Sequence, residues 1–192
     1  MVNQSVHTFM NAMTYPDRTI FPASSLIKAD YFHLMSVYGD AVFFPLLKKE
    51  VFEQEAHRLE IDKDGNASIQ GVVYNEMKGS YASFDAVAAD ESIRSVMPCS
   101  IYQKDSGGDP LNIPELSYEE FISFHKKYYT ADNCLVFLYG SIPTAEQLDF
   151  IQQEILDRIE LNMSASKRAS CRTYKQVSSS FVKLVKPAVQ KK

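Results

Sequence analysis

Six consecutive apolar residues, Cys134-Leu135-Val136-Phe137-Leu138-Tyr139, constrain the fold more than any other stretch. A continuous apolar run of this length reads as a strand buried on both faces, with Cys134 in the core. A buried strand needs neighbours in a sheet. Residues 6–24 supply candidates: apolar and aromatic residues flank Tyr15-Pro16-Asp17-Arg18, whose Pro and Asp are turn formers, so two strands around a turn are predicted. Ala67 to Val73 reads as a further short strand, after a plain hairpin turn at Asp62-Lys63-Asp64-Gly65-Asn66. The Asp-x-Asp-x-Asn opening of that turn lacks the later ligands of a calcium loop.

Helical spacing fills the rest. Phe32, Met35, Tyr38 and Val42 recur at three- and four-residue intervals and predict a helix over 26–43. Pro45 stops it, and a second helix is predicted from Lys48 to Ile61. Residues 74–96 are predicted mostly helical with breaks near Gly79 and Ser83, and 97–114 form a loop. Ser117 with Glu120, and Thr144 with Gln147, have the spacing of capping boxes, opening helices to Tyr129 and to about Leu161. Residues 162–180 are Ser-rich, and Phe181-Val182-Lys183-Leu184-Val185 reads as a late strand. The order implies α+β: a two-layer antiparallel or mixed sheet with helices on one face. Four strands are few for such a sheet, so the chain reads as an incomplete domain.

Composition excludes several classes. With 45% hydrophobic and 23% charged residues, the 192-residue chain is an ordinary globular one. No run of about 18 apolar residues exists, so no membrane-spanning helix is expected. The first residues have neither the basic nor the apolar part of a signal peptide. Cys99, Cys134 and Cys171 are odd in number and dispersed, which argues against a disulfide framework and for a reducing compartment, cytoplasm or organelle matrix. Residues 161–192 hold eight Lys and Arg and no acid, against 20 basic and 24 acidic in the whole chain, so residues 1–160 carry 12 basic against 24 acidic groups. An acidic body argues against nucleic acid and for basic partners, unless the charge is spread evenly over the surface. The basic tail is an arm for an acidic partner or a solvated connector.

His7, His33, His57 and His125 include no pair four residues apart, and neither His-x-x-Glu-His nor His-Glu-x-x-His occurs. Glu53 and His57 share a helical spacing and read as a surface or interface pair; His125 reads as packed or half-exposed. Ser106-Gly107-Gly108-Asp109-Pro110 has no Lys and no preceding strand, so it is a turn rather than a phosphate loop. Glu76 follows an apolar strand and opens a helix. On local grounds it is a cap, a salt-bridge partner or a metal ligand.

Taken together, Phe9 to Thr19, Gly71 to Gly79, Ser106 to Pro110 followed by Ile113-Pro114-Glu115-Leu116, Phe124 to Tyr129, and Tyr139-Gly140 form one ordered set. Over about residues 5–160 the chain resembles the presequence protease branch of the pitrilysin/insulinase zinc metallopeptidases. The resemblance implies a clamshell of four α/β domains, with an inverted His-x-x-Glu-His motif whose two His bind zinc and whose Glu is the general base. A downstream Glu completes the metal shell, and in Asn75-Glu76-Met77-Lys78-Gly79 it falls on Glu76. The resemblance also implies that Asn11, Ala12 and Met13 form an edge strand on which unstructured peptides lie as an added β-strand.

The inverted motif ordinarily lies a few tens of residues before that strand, and Asn11 stands ten residues from Met1. The expectation is therefore a partial N-terminal peptidase domain over 1–160 and a basic, Ser-rich linker or tail over 161–192. Such a fragment, holding one zinc ligand of the three that catalysis needs, is expected to be inactive alone. It would leave an open strand edge near 9–14 and would self-associate or bind a complementary protease fragment. The alternative is a non-catalytic peptide-binding or assembly module. Neither nucleic acid nor membrane is an expected partner.

Overall fold

The structure, a computed structural model, describes residues 6–162; the predicted late strand at 181–185 and the tail lie outside them. The chain begins with a long hairpin, interrupted midway. β1 (Phe9–Met10) pairs antiparallel with β4 (Ala23–Ser24), and β2 (Met13–Thr14) with β3 (Thr19–Ile20). The Tyr15 amide closes the predicted turn on the Arg18 carbonyl at 2.8 Å. The ladder splits in the middle for two local reasons. Pro22 has no N–H to give to the opposite arm, and the Asn11 side chain takes the Ala12 amide at 2.9 Å.

α1 (Lys28–Phe43) follows as predicted. α2 (Lys49–Glu55) is shorter than predicted, and Arg58–Ile61 is instead the strand β5, paired with β6 (Ala67–Gln70) in the register Arg58↔Gln70 to Ile61↔Ala67. Arg58-Leu59-Glu60-Ile61 alternates with period two, and the turn behind it is strongly specified. The Asp62 carboxylate accepts from the amides of Asp64 and Asn66 at 2.9 and 2.8 Å, and Gly65 takes φ 85°. A preformed hairpin therefore claims residues that helical propensity would extend. α3 (Val72–Ser80) and α4 (Phe84–Val96) come next, then a loop with one 3-10 turn at Ile101–Gln103 and another at Ile113–Glu115.

α5 (Tyr118–Tyr128) opens with the predicted capping box: the Ser117 hydroxyl accepts from the Glu120 amide and the Glu120 carboxylate accepts from the Ser117 amide. Those bonds from Ser117 hold the Glu120 carboxyl below its ordinary pKa. α6 (Thr144–Ile151) has no such box. Pro143 is its cap, and Gln147 turns inward at 4% exposure, donating to the Ile142 carbonyl at 2.8 Å and accepting from the Tyr31 hydroxyl. A half-buried phenol that needs an acceptor outweighs a local cap. A π turn (Gln152–Leu156) leads into α7 (Asp157–Asn162).

The result is α+β, with antiparallel pairing in three two-stranded pieces among the described residues. α1 packs on α6 and the π turn through Phe32 against Phe150 and through Gly39 against Ile155, with an Arg158–Asp40 ion pair at 2.7 Å at the far end. Tyr38 and Phe21 join α1 to the hairpin. A second cluster gathers Phe52, His57, Tyr118 and Phe121. The buried apolar residues described are Leu34, Phe52, Met77, Ile113, Ile151 and Ile155.

Cys134–Tyr139 departs most from expectation. Beyond a 3-10 turn at Ala131–Asn133 it belongs to no described strand. Leu135, Phe137 and Tyr139 are 94%, 85% and 88% exposed, and Cys134 is exposed as well. An apolar run becomes a buried strand only when other strands and helices cover it, and among the described residues none does.

Candidate functional site

Glu76 is carried by α3, and the entry to that helix is set by one glycine. A Cβ on Gly71 would stand 2.2 Å from the Ala56 carbonyl oxygen and 2.7 Å from its carbon. Only glycine lets the chain cross the α2–β5 corner this closely and start α3 there. Further along, Met77 is buried, and a Cβ on Gly107 would meet its sulfur at 2.3 Å. The stretch around Glu76 and the Ser106-Gly107-Gly108 loop, far apart in sequence, are thus in contact. That loop is a turn, as expected, with Gly108 at φ 93° and the Asp109 carboxylate accepting from the Leu111 amide.

With Met77 inside, Glu76 is exposed. Helical spacing puts it on one face with Val72 and Val73, both exposed. No described hydrogen bond or ion pair engages its carboxylate, so it is not the cap or salt-bridge partner that local reasoning allowed. The helix N-cap is Gly71, without a side-chain bond. No group of three or more His, Cys, Asp or Glu side chains able to hold a metal occurs among the described residues.

The two histidines best placed in the fold are otherwise engaged. Nε2 of His57 lies 2.9 Å from the Leu116 carbonyl, and Nε2 of His125 lies 3.0 Å from that of Val42, with its ring stacked on Tyr129. The expected Glu53–His57 pair does not form: Glu53 meets Lys49 at 3.8 Å instead.

The second predicted element is the strand at Asn11, Ala12 and Met13, but Asn11 and Ala12 fall in the break between β1 and β2, and only Met13 stands in a strand. Asn11 and Ala12 are exposed, and Met13 is half-buried and pairs with Ile20. The Asn11 amide donates to the Pro22 carbonyl at 3.1 Å, and its own carbonyl accepts from the Tyr38 hydroxyl at 2.8 Å. Burial raises the Tyr38 pKa, which keeps that hydroxyl a donor. Each piece of the hairpin has two strands, so the side of 9–14 away from 19–24 pairs with no described strand. An open antiparallel edge can take another strand by main-chain hydrogen bonds.

No described hydrogen bond or ion pair joins Glu76 directly to Asn11, Ala12 or Met13. Their two elements are instead linked by side chains that sequence reasoning did not single out. Tyr81, at the end of α3, shares its hydroxyl with Arg94 of α4 at 3.3 Å. Arg94 Nε donates to the Gln103 carbonyl at 3.1 Å. The neighbouring Tyr102 hydroxyl donates to the Asp17 carboxylate in the β2–β3 turn at 2.9 Å. Burial raises the Tyr81 pKa against the opposing bond from Arg94, so the phenol stays protonated. Partners 85 residues apart, as Tyr102 and Asp17 are, leave no local signal.

Residues 115–191 match the family model described as the Peptidase M16 inactive domain, which takes in α5, α6 and residues beyond the described ones. The chain is 42% identical over 160 residues to the mitochondrial presequence protease of Drosophila melanogaster, which covers 81% of this chain and 16% of that protein. It is 39% identical over 188 residues to presequence protease 1, chloroplastic/mitochondrial, of Arabidopsis thaliana, covering 96% of this chain and 17% of that protein. Protein HypA of Clostridium perfringens is 45% identical over 163 residues, 83% of this chain and 17% of its own length. These matches support the presequence protease branch of the M16 peptidases as the family of this chain. It spans about one sixth of the length of these relatives.

Proposed function

We propose that this chain is part of a zinc metalloendopeptidase that degrades unstructured peptides, and that it is inactive alone. In this reading Glu76 supplies one metal ligand, and Asn11, Ala12 and Met13 form the edge on which a substrate peptide adds as a strand. The two His ligands and the general base come from a polypeptide segment outside these 192 residues. The observation that carries the reading is the exposed Glu76 carboxylate, without a partner among the described residues, on a helix held in place by Gly71 and Met77. A carboxylate left free of caps and ion pairs is available to a metal, and one carboxylate alone cannot hold a catalytic zinc. Relatives named as mitochondrial and chloroplastic/mitochondrial presequence proteases support a peptide substrate and, of the cytoplasmic and organelle-matrix settings, the organelle matrix. No helix among the described residues is long and apolar enough to cross a membrane.

The completing segment also has somewhere to bind. Burying Leu135 and Phe137 alone is worth roughly 3–6 kcal/mol. An exposed apolar segment of this kind is a contact surface, for a complementary fragment or for self-association.

The test mixes the chain with zinc and an unstructured basic peptide and follows cleavage by mass spectrometry. The chain alone is expected to give no chelator-sensitive cleavage. Adding a segment of a relative that carries the inverted motif is expected to produce it, and Glu76→Gln to abolish it. Chelator-sensitive cleavage by the chain alone, or full activity of the Glu76→Gln mixture, would overturn the reading. The family model's description as an inactive domain favours a second reading, a non-catalytic peptide-binding or assembly module. Peptide binding with no cleavage in any mixture would select it.

A further inference from the structure

We propose that Tyr102 is a positioning residue, one that holds the peptide-accepting strand in place relative to the helix carrying Glu76. The inference rests on the reading of residues 11–13 as a peptide edge, and goes beyond it by naming what fixes that edge. The β2–β3 hairpin is two residues long on each side and pairs with no further strand among the described residues, so its own ladder holds it weakly. One long-range hydrogen bond reaches its turn, from the Tyr102 hydroxyl to Asp17.

Both ends of that bond are themselves held. Asp17 is gripped by Arg18 through both carboxylate oxygens at 2.9 and 3.0 Å, and the Arg18 guanidinium lies 4.7 Å from the Tyr15 ring centre. Tyr102 sits in a 3-10 turn whose cap, the Ser100 hydroxyl, accepts the Tyr102 amide at 3.2 Å. Arg94 anchors the same turn through the Gln103 carbonyl and reaches the Tyr81 hydroxyl at the end of α3. The hairpin turn is thereby tethered to the end of the Glu76 helix by consecutive hydrogen bonds. A strand that must present its main chain in register to a peptide loses affinity when free to swing, because the peptide must then also order the strand.

The experiment uses the 192-residue chain in three variants: Tyr102→Phe, Asp17→Ala and Asp17→Asn. Amide exchange is read at Met13, Thr14, Thr19 and Ile20, with α5 amides as a reference. Affinity for a fluorescein-labelled unstructured basic peptide is read by anisotropy. A hydrogen bond to a carboxylate near the surface is worth about tenfold in an equilibrium. Tyr102→Phe and Asp17→Ala are therefore expected to speed exchange in the hairpin about three- to tenfold and to weaken the peptide by a similar factor, with α5 unchanged. Asp17→Asn, which keeps an oxygen acceptor, is expected to restore most of both. Unchanged hairpin exchange in Tyr102→Phe overturns the tether, whatever the peptide does. Faster exchange spread equally over α5 overturns it too, by assigning Tyr102 to general stability. Faster hairpin exchange with unaltered peptide binding overturns the positioning role. If the unmodified chain binds no peptide, the peptide-edge reading fails and the positioning role fails with it, while the exchange result still decides whether the tether exists.

Discussion

Two glycines in one helical region make opposite demands, and exchanging each for alanine separates close approach from backbone freedom. At Gly71 the backbone is extended, at φ 167°, a conformation any residue adopts, so alanine meets no torsional strain. The obstacle is the Ala56 carbonyl, 2.2 Å from the new Cβ. Ordinary contact requires a separation larger by roughly 1 Å, and main-chain atoms on both sides must supply it. Overpacking of this kind costs roughly 1–3 kcal/mol. Restricting the unfolded chain returns about 0.4–1 kcal/mol. The net expectation for Gly71→Ala is a loss of about 1–2 kcal/mol, and a melting temperature lower by about 2–8 °C at roughly 2–4 °C per kcal/mol for a chain of this size. At Gly79, inside α3, the Cβ meets nothing within 4 Å. Gly79→Ala should therefore gain about 0.5–1 kcal/mol from helix propensity. Urea and thermal unfolding of both variants beside the unmodified chain provide the assay. A Gly71→Ala protein as stable as the parent, or a Gly79→Ala protein less stable than Gly71→Ala, would refute the reasoning that α3 is seated by a main-chain crossing.

Other outcomes follow from the same packing. Gln147→Leu leaves the Tyr31 hydroxyl and the Ile142 carbonyl without their partner, and should cost about 2–4 kcal/mol; adding Tyr31→Phe should recover part of it, and strictly additive losses in urea midpoints would contradict the pairing. Ser117→Ala keeps the backbone amide that does most to hold the Glu120 carboxyl below its ordinary 4.5, and removes the second bond, from the Ser117 hydroxyl. Because the folded value is the lower one, that stabilisation is present above pH 4.5 and is lost as the pH falls through the folded value, so Ser117→Ala should be less stable at pH 7 and lose less on acidification. An acid slope unchanged from the parent would show that the Ser117 hydroxyl bond does not contribute to the lowered Glu120 value. Leu135→Asp with Phe137→Asp should shift stability by no more than about 0.5 kcal/mol and lower concentration-dependent light scattering. A loss above about 2 kcal/mol would mean that these side chains are covered.

Local chemistry made much of this chain legible without coordinates. Pro16 and Asp17 specify their turn through a fixed φ and a ready acceptor. Ser117 and Glu120 specify a helix start because the atoms that satisfy the first-turn amides lie three residues apart. Asp62 to Asn66 closes on itself. In each case partners are neighbours in sequence, so spacing carries the geometry. The same reasoning failed where a distant group outbid the local one. Thr144 and Gln147 had capping-box spacing, yet Gln147 faces Tyr31, 116 residues away. His57 stood four residues from Glu53 and went to the Leu116 carbonyl.

The site divides in the same way. Met13 could be read as a strand residue, and Glu76 as a helical one, from their own neighbourhoods and from the ordered motifs around them, whereas the break at Asn11 and Ala12 could not. That Gly71 admits a main-chain crossing, that Met77 fills the space beside Gly107, and that Tyr102 reaches Asp17 depends on elements meeting after long chain excursions, which periodicity does not encode. The run Cys134–Tyr139 shows the limit most plainly. Its composition determines that it should be buried, because six apolar side chains in extended backbone lower their free energy by leaving water. Whether it is buried depends on what packs against it, and in the described structure Leu135, Phe137 and Tyr139 remain exposed. Burial is a property of two surfaces, and a sequence segment specifies only one of them.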